Sequence, residues 1–269
     1  MPLETLPSLR DMAELSARTT ARWRPGLAGA VCHSELFASA SEASGAATAL
    51  ALALDDWRHA GRAQGAEVED RRAVLWVQTR EAARLTGRPY RAGLPAELRH
   101  RVIHVLAPKA EDALFALEEG VRCREIALVL GEITGNPRAL DFTASRRLTL
   151  TAERHGVPLY LVRLDAAHDL SSARMRWEVA AAPSTAPAWN AEAPGTPAWH
   201  AELFRARAHP PGAWVLHGEG GLMASRAFET PVIAPSAPQG KRGFSLSDRP
   251  EEGARTQSEF PPRRVSAFN

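Results

Sequence analysis

Lysine is almost missing from this chain. Lys109 and Lys241 are the only two, so arginine carries nearly all the positive charge. Cysteine is as scarce. Cys32 and Cys123 fit neither a metal-ligand spacing nor a disulfide framework, and a reducing cytosol is expected. Both lie in apolar segments and read as buried thiols. No apolar run approaches the ~20 residues of a membrane helix. The opening stretch MPLETLPSLRDMAEL carries acids and prolines and has no apolar core, which is not the pattern of a signal peptide. The expectation is a soluble cytoplasmic protein that does not engage a membrane. The nine histidines are scattered, and no metal site is indicated. Net charge is only +2, which gives no general pull toward nucleic acid.

What is there is ordinary for a folded α/β protein: 45% apolar and 24% charged residues over 269 positions. The informative stretch is Ala30 to Leu54. An alternating apolar run, AVCHSELF, stops at the small-residue loop ASASEASGAAT, and the helical run ALALAL follows at once. Strand, tight loop and helix N-terminus together make a phosphate-binding layout, because loop amides and the positive helix end converge on an anion. The residues that make such a loop a nucleotide site are missing. G-x-x-x-x-G-K-[ST] needs a first glycine, a lysine and a metal-binding hydroxyl. Ser39 or Ala40 stands in the first place, Ala46 in the lysine's and Ala47 in the hydroxyl's. Gly45 remains, and Thr48 comes one position late. Residual anion binding at Ser44, Gly45 and Thr48 is the most this loop offers.

Along the chain, Leu3, Leu6, Leu9, Met12 and Leu15 mark an N-terminal helix over 3–23 that packs on its own domain or on a partner. Pro25-Gly26 separates it from the body. Helix 46–61 ends at Gly61. Strands follow at 73–78, 101–107, 126–133 and 157–164, with helices at about 79–90, 108–123 and 140–156 between them. IALVLGEI has the continuous apolar character of a central parallel strand. The β-α alternation predicts an open, mostly parallel sheet with right-handed crossovers. Beyond a polar loop at 165–173, RMRWEVAAAP, WHAELFRARA and AWVLHG predict an antiparallel extension. In it Met175, Trp177 and Val179 share one face, as do Trp199, Ala201 and Leu203. Domain limits follow: an N-terminal helix (1–24), a core with its extension (25–220) and a Pro/Arg-rich tail (230–269) expected to be disordered.

This order of elements resembles the RecA-type core, a P-loop NTPase-like fold. The wording of ALFALEEGVRCREIALVLGEI, LDFTASRRLTLTAERHGVPLYLVR, SSARMRWEVAAAPS and WHAELFRARAHPPGAWVL is similar to the ImuA family, over about residues 25–218. The resemblance implies a non-catalytic accessory protein of the SOS response. Such proteins work with an ImuB-like Y-family protein and a DnaE-type error-prone polymerase in translesion DNA synthesis. Two rivals stand beside it: a weak DNA-dependent RecA-type ATPase that forms filaments on DNA, and a SulA-like cell-division inhibitor.

RecA-type ATPase chemistry also needs an acid closing the apolar strand and a glutamate that activates water. Gly131 stands where the acid is expected. Glu132 is one residue on and should face the other way; it reads as a surface or capping carboxylate, or as a displaced metal ligand. Glu81 reads as a helix-opening acid. Neither ATP nor a metal is therefore expected as cofactor, and no residue is assigned a catalytic role. In RecA-type filaments the loops at 134–140 and 165–174 face DNA. Arg138, Arg163, Arg174 and Arg176 lie in or beside them, and Arg146, Arg147 and Arg154 lie on the long helix. They would give weak, sequence-independent phosphate contact. The alternative is solvated arginines or intrachain pairs with Glu153, Asp165 and Glu178. Neither loop holds an aromatic on which a base could stack. Trp23, Trp189 and Trp199 lie near segment edges, and Trp189 is the most exposed-looking. In the tail Phe244, Leu246, Phe260, Val265 and Phe268 are isolated hydrophobes that read as a docking peptide ordering on binding, the alternative being a plain solubilising tail.

Overall fold

The computed structural model describes residues 22–27, 33–63, 70–184, 186–187, 189–190, 192–218 and 222–226. The expected helix over 3–23 lies outside them except for Arg22 and Trp23, which are not helical. Cys32 and the docking positions Phe244, Leu246, Phe260, Val265 and Phe268 also lie outside the described residues.

The elements run β1 (His33–Ala38), α1 (Ser44–Ala63), β2 (Ala73–Thr79), α2 (Arg80–Thr86), a 3-10 turn (Arg91–Gly93), β3 (Val102–Ala107), α3 (Ala110–Arg122), β4 (Ile126–Thr134), α4 (Phe142–His155), β5 (Leu159–Leu164), β6 (Met175–Ala182), β7 (Ala198–Ala206), β8 (Gly212–His217) and β9 (Met223–Arg226). They form one sheet in the order β3-β2-β4-β5-β1-β6-β7-β8-β9. The pairings from β3 to β6 are parallel, and those from β6 to β9 are antiparallel. The fold is thus α/β, a mostly parallel sheet flanked by helices with an antiparallel extension. Strand β9 has no counterpart in the sequence reading, because four residues, MASR, carry too little pattern.

Strand alternation sorts the core into two layers. Leu36, Leu128, Leu130, Tyr160 and Val162 face α1, whose Ala49, Leu52 and Ala53 pack on them. Val129, Ile133, Leu159 and Leu161 face α3 and α4, through Leu117, Val121 and Leu148. Both faces of β4 and β5 are covered, which is why IALVLGEI and LYLVRL read as nearly unbroken apolar runs. Asp141 caps α4 by accepting the Ala144 N–H at 2.7 Å, and Gly156 ends it in the left-handed region, φ 69°. In the extension an aromatic cluster continues the α1 layer. Trp23 meets Trp177 edge-on at 4.8 Å and Trp214 at 5.2 Å. Trp23 is therefore core, not an edge residue. Trp189 is 80% exposed. Among the described residues no helix is long and apolar enough to cross a membrane.

Candidate functional site

Ligands of open α/β sheets bind at the carboxyl ends of the strands, where neighbouring connections leave to opposite faces. Here that place is the β5/β1 boundary. The chain leaves β1 toward the α1 face, and it leaves β5 toward the α4 face, where Ser171 and Ser172 bond Ser145 and Thr149. The loop of residues 39–43 stands at this boundary.

Three of its amides, those of Ala40, Ser41 and Glu42, donate within the chain. The Ala40 N–H donates to Asp165 Oδ1 at 2.9 Å, and the Asp165 N–H donates to the Ala38 carbonyl at 3.0 Å. The Ser41 N–H donates to Ser39 Oγ and the Glu42 N–H to the Ser39 carbonyl. The Ser44 hydroxyl donates to Glu42 Oε2 at 3.0 Å, and the same oxygen takes the Ala181 N–H from β6 at 2.8 Å. Two carboxylates, Asp165 and Glu42, thus stand where a phosphate-binding loop would offer donors to its ligand. Asp165 is the one non-glycine with positive φ (49°) among the described residues, a conformation aspartate tolerates better than most.

Gly45 has a packing role. A Cβ there would meet Ala38 Cβ and Val162 Cγ1, each at 2.8 Å, so glycine lets the first turn of α1 sit on the sheet. Thr48 is fully buried, and its hydroxyl has no hydrogen-bond partner. Ser44, Gly45 and Thr48 are therefore brought together, but as buried parts of the α1–sheet contact.

Gly131, at the expected place of a metal-binding acid, faces α3. A Cβ there would stand 2.9 Å from both Leu117 Cδ2 and Leu161 Cδ1, so the space is already filled by leucine. Glu132 does face the other way, toward the α1 layer, but it is neither surface nor cap. It is 1% exposed. Its Oε1 accepts Trp76 Nε1–H at 2.6 Å and Gln78 Nε2–H at 2.9 Å, and Thr86 Oγ1 lies 3.1 Å from Oε2. Burial pushes its pKa up against the opposing pull of these bonds. Three protein donors thus hold its two oxygens. Glu81 is exposed and pairs with Arg84. His100 and His104 stand four apart, a metal spacing only on a helix; His104 is in β3 and bonds Gln78 Oε1 at 2.9 Å. Among the described residues no group of three or more His, Cys, Asp or Glu converges on a metal position. Cys123 is exposed in the turn after α3, not buried.

The arginines divide sharply. Arg163 and Arg176 are 1% and 4% exposed. Glu35 lies between them on β1: its Oε2 takes Arg176 Nε–H at 2.8 Å, and Oε1 stands 3.8 Å from Arg163 Nη1. Asp169 completes the group, 3.3 Å from Arg163 Nη2. Arg176 also lies over the rings of Phe37 and Phe204, at 5.0 and 5.4 Å. These two guanidiniums belong to the core and are not offered to phosphate. Arg174 pairs with Glu153, and Arg147 with the mostly buried Glu118, which also holds Arg122. Arg138, Arg146 and Arg154 are exposed. The 165–174 loop is fastened along its length: Ala167 to Asn136, His168 to Glu178 and stacked on Phe204 at 4.3 Å, Ser171 to Glu35, and Arg174 through its N–H to the His33 carbonyl.

Sequence reasoning missed Glu35, and it named Asp165 only as a partner for an arginine. The signal for Glu35 is a lone acid in an apolar strand, with arginines in two other strands of the same sheet. For Asp165 it is an acid one residue past a buried strand. Compared with known proteins, the chain matches no family model and no curated protein.

Proposed function

We propose that the chain is a RecA-type scaffold without ATPase chemistry, acting as an ImuA-like accessory protein of error-prone translesion synthesis. It would bridge an ImuB-like Y-family protein and a DnaE-type polymerase. Support for the non-catalytic half is the Asp165 carboxylate on the Ala40 N–H, with Glu42 on Ser44. A loop that holds its own anions repels a phosphate, and it has no lysine to reverse that field. The leucine-filled space at Gly131 points the same way. The RecA-type assignment agrees with the parallel core, its helices on both faces and the antiparallel extension after β6. The partner half rests on the wording shared with the ImuA family.

Co-purification tests it. The full chain should retain an ImuB-like protein and a DnaE-type polymerase in the absence of nucleotide. Loss of both partners, or retention only with ATP, would count against the scaffold. Division arrest on overexpression, with unchanged mutagenesis, would favour the SulA-like rival.

A further inference from the structure

Loops 134–140 and 165–174 offer no free ring to a base, and Arg163 and Arg176, in the strands beside the second, are buried. A different strip has an open ring and exposed arginines. Between Arg80 and Arg91 four arginines face one acid, Glu81, a local charge of +3 in a chain whose total is +2. Glu81 is taken up by Arg84. Arg80 and Arg88 are exposed and hold no ion pair among the described residues.

Tyr90 stands in this strip, 76% exposed. Its ring lies beside Gly93, where an added Cβ would come within 3.1 Å of Tyr90 Cδ1. No other ring covers it among the described residues. The backbone beneath is fixed. Gln78 Nε2–H donates to the Gly87 carbonyl at 2.9 Å, the Gly93 N–H to the Tyr90 carbonyl at 3.0 Å, and Arg91 Nη2–H to the Val102 carbonyl at 3.2 Å. Leu94 and Leu98 anchor the following residues in the core. Segment 87–94 therefore runs along edge strand β3. Arg88 and Arg91 are close enough to His104 that, after burial, their charges help lower its pKa.

We propose that this strip binds single-stranded nucleic acid, one base stacking on Tyr90 and the neighbouring phosphates meeting Arg88 and Arg91. A flat ring left uncovered on a rigid backbone between cations is the arrangement that such binding uses. An acidic peptide would need the cations but not the open ring. The proposal goes beyond the partner-bridging role: a chain that bound oligonucleotide but no polymerase would keep this site and lose that function.

The test is fluorescence anisotropy of a labelled thymidine oligonucleotide with the full chain across a salt series. Tyr90→Ala should weaken binding about tenfold and Tyr90→Phe should restore it, since stacking needs the ring and not the hydroxyl. Arg88→Ala with Arg91→Ala should reduce the slope of log affinity against log salt by about 1.4. Arg146→Ala with Arg154→Ala on α4 should leave binding unchanged. Thermal melts confirm that these exposed variants fold. The proposal is overturned by absent binding at low salt, by an unaffected Tyr90→Ala, or by loss that follows the α4 pair instead. It is equally overturned if a sulfated polysaccharide binds wild type and Tyr90→Ala alike and competes fully with the oligonucleotide, because the patch is then a polyanion surface without a base site.

Discussion

The Asp165 carboxylate accepts the Ala40 N–H at 2.9 Å, joining the residue after β5 to the loop after β1. This closes the sheet's switch point with the chain's own charge. Asp165→Ala removes the acceptor and places alanine at a positive φ. It should cost about 2–3 kcal/mol, combining a lost charge-assisted bond with the backbone cost. Asp165→Gly should cost less, because glycine adopts that φ freely. Urea denaturation of the two variants measures the difference.

Glu35, together with Asp169, balances the two buried guanidiniums of Arg163 and Arg176. Glu35→Gln should therefore lose roughly 3–5 kcal/mol, the cost of leaving a buried charge without its partner. Replacing Glu35, Arg163 and Arg176 together by apolar residues of similar volume should recover most of that loss. Chemical denaturation of the single and triple variants checks both values.

Glu132 sits in a cage of donors with its pKa already raised by burial. Glu132→Gln keeps the acceptor for Trp76 and Gln78, and its new amide faces Thr86, whose hydroxyl also lies 3.1 Å from the Ala82 carbonyl. Stability at neutral pH should hold within about 1 kcal/mol, while Glu132→Ala should cost about 2–4 kcal/mol through a cavity and unpaired donors. Millimolar Mg²⁺ should leave the melting temperature of the wild type unchanged.

How far this was legible depended on sequence distance. The apolar run of β4, the Asp141 and Gly156 ends of α4 and the small-residue loop before α1 are local signals, and the elements formed there. The faces of β6 and β7 followed from alternation. The buried charges did not: Glu35 and Arg176 are 141 positions apart, and Trp76 and Glu132 are 56 apart. An arginine reads as exposed until its acid is known, so Arg163 and Arg176 looked like phosphate ligands. The role of Asp165 was hidden for the same reason: it was expected to pair with an arginine, but its partner is the Ala40 N–H in the loop after β1, 125 residues earlier.

The buried His33 and the half-buried Asp56 should give opposing pH dependences. Burial above all lowers the His33 pKa from 6.5 to about 4, so the folded chain binds fewer protons than the unfolded one in that window, and stability rises with pH there. Burial above all raises Asp56 from 3.8 to about 6, against the pull of its Tyr160 hydrogen bond, so stability falls as pH rises from about 4 to 6. The two slopes offset each other between pH 4 and 6. Asp56→Asn should expose the rising slope of His33, and His33→Gln the falling slope of Asp56, each of order 2–3 kcal/mol across the window. Denaturation midpoints measured through the window read both.

Nucleotide binding tests most directly whether the loop after β1 is closed to phosphate. Calorimetric titration of the full chain with Mg·ATP, with and without single-stranded DNA, should give no saturable heat, and a parallel phosphate-release assay should show no turnover. Micromolar binding or DNA-stimulated turnover that disappears in Ser44→Ala would contradict the account.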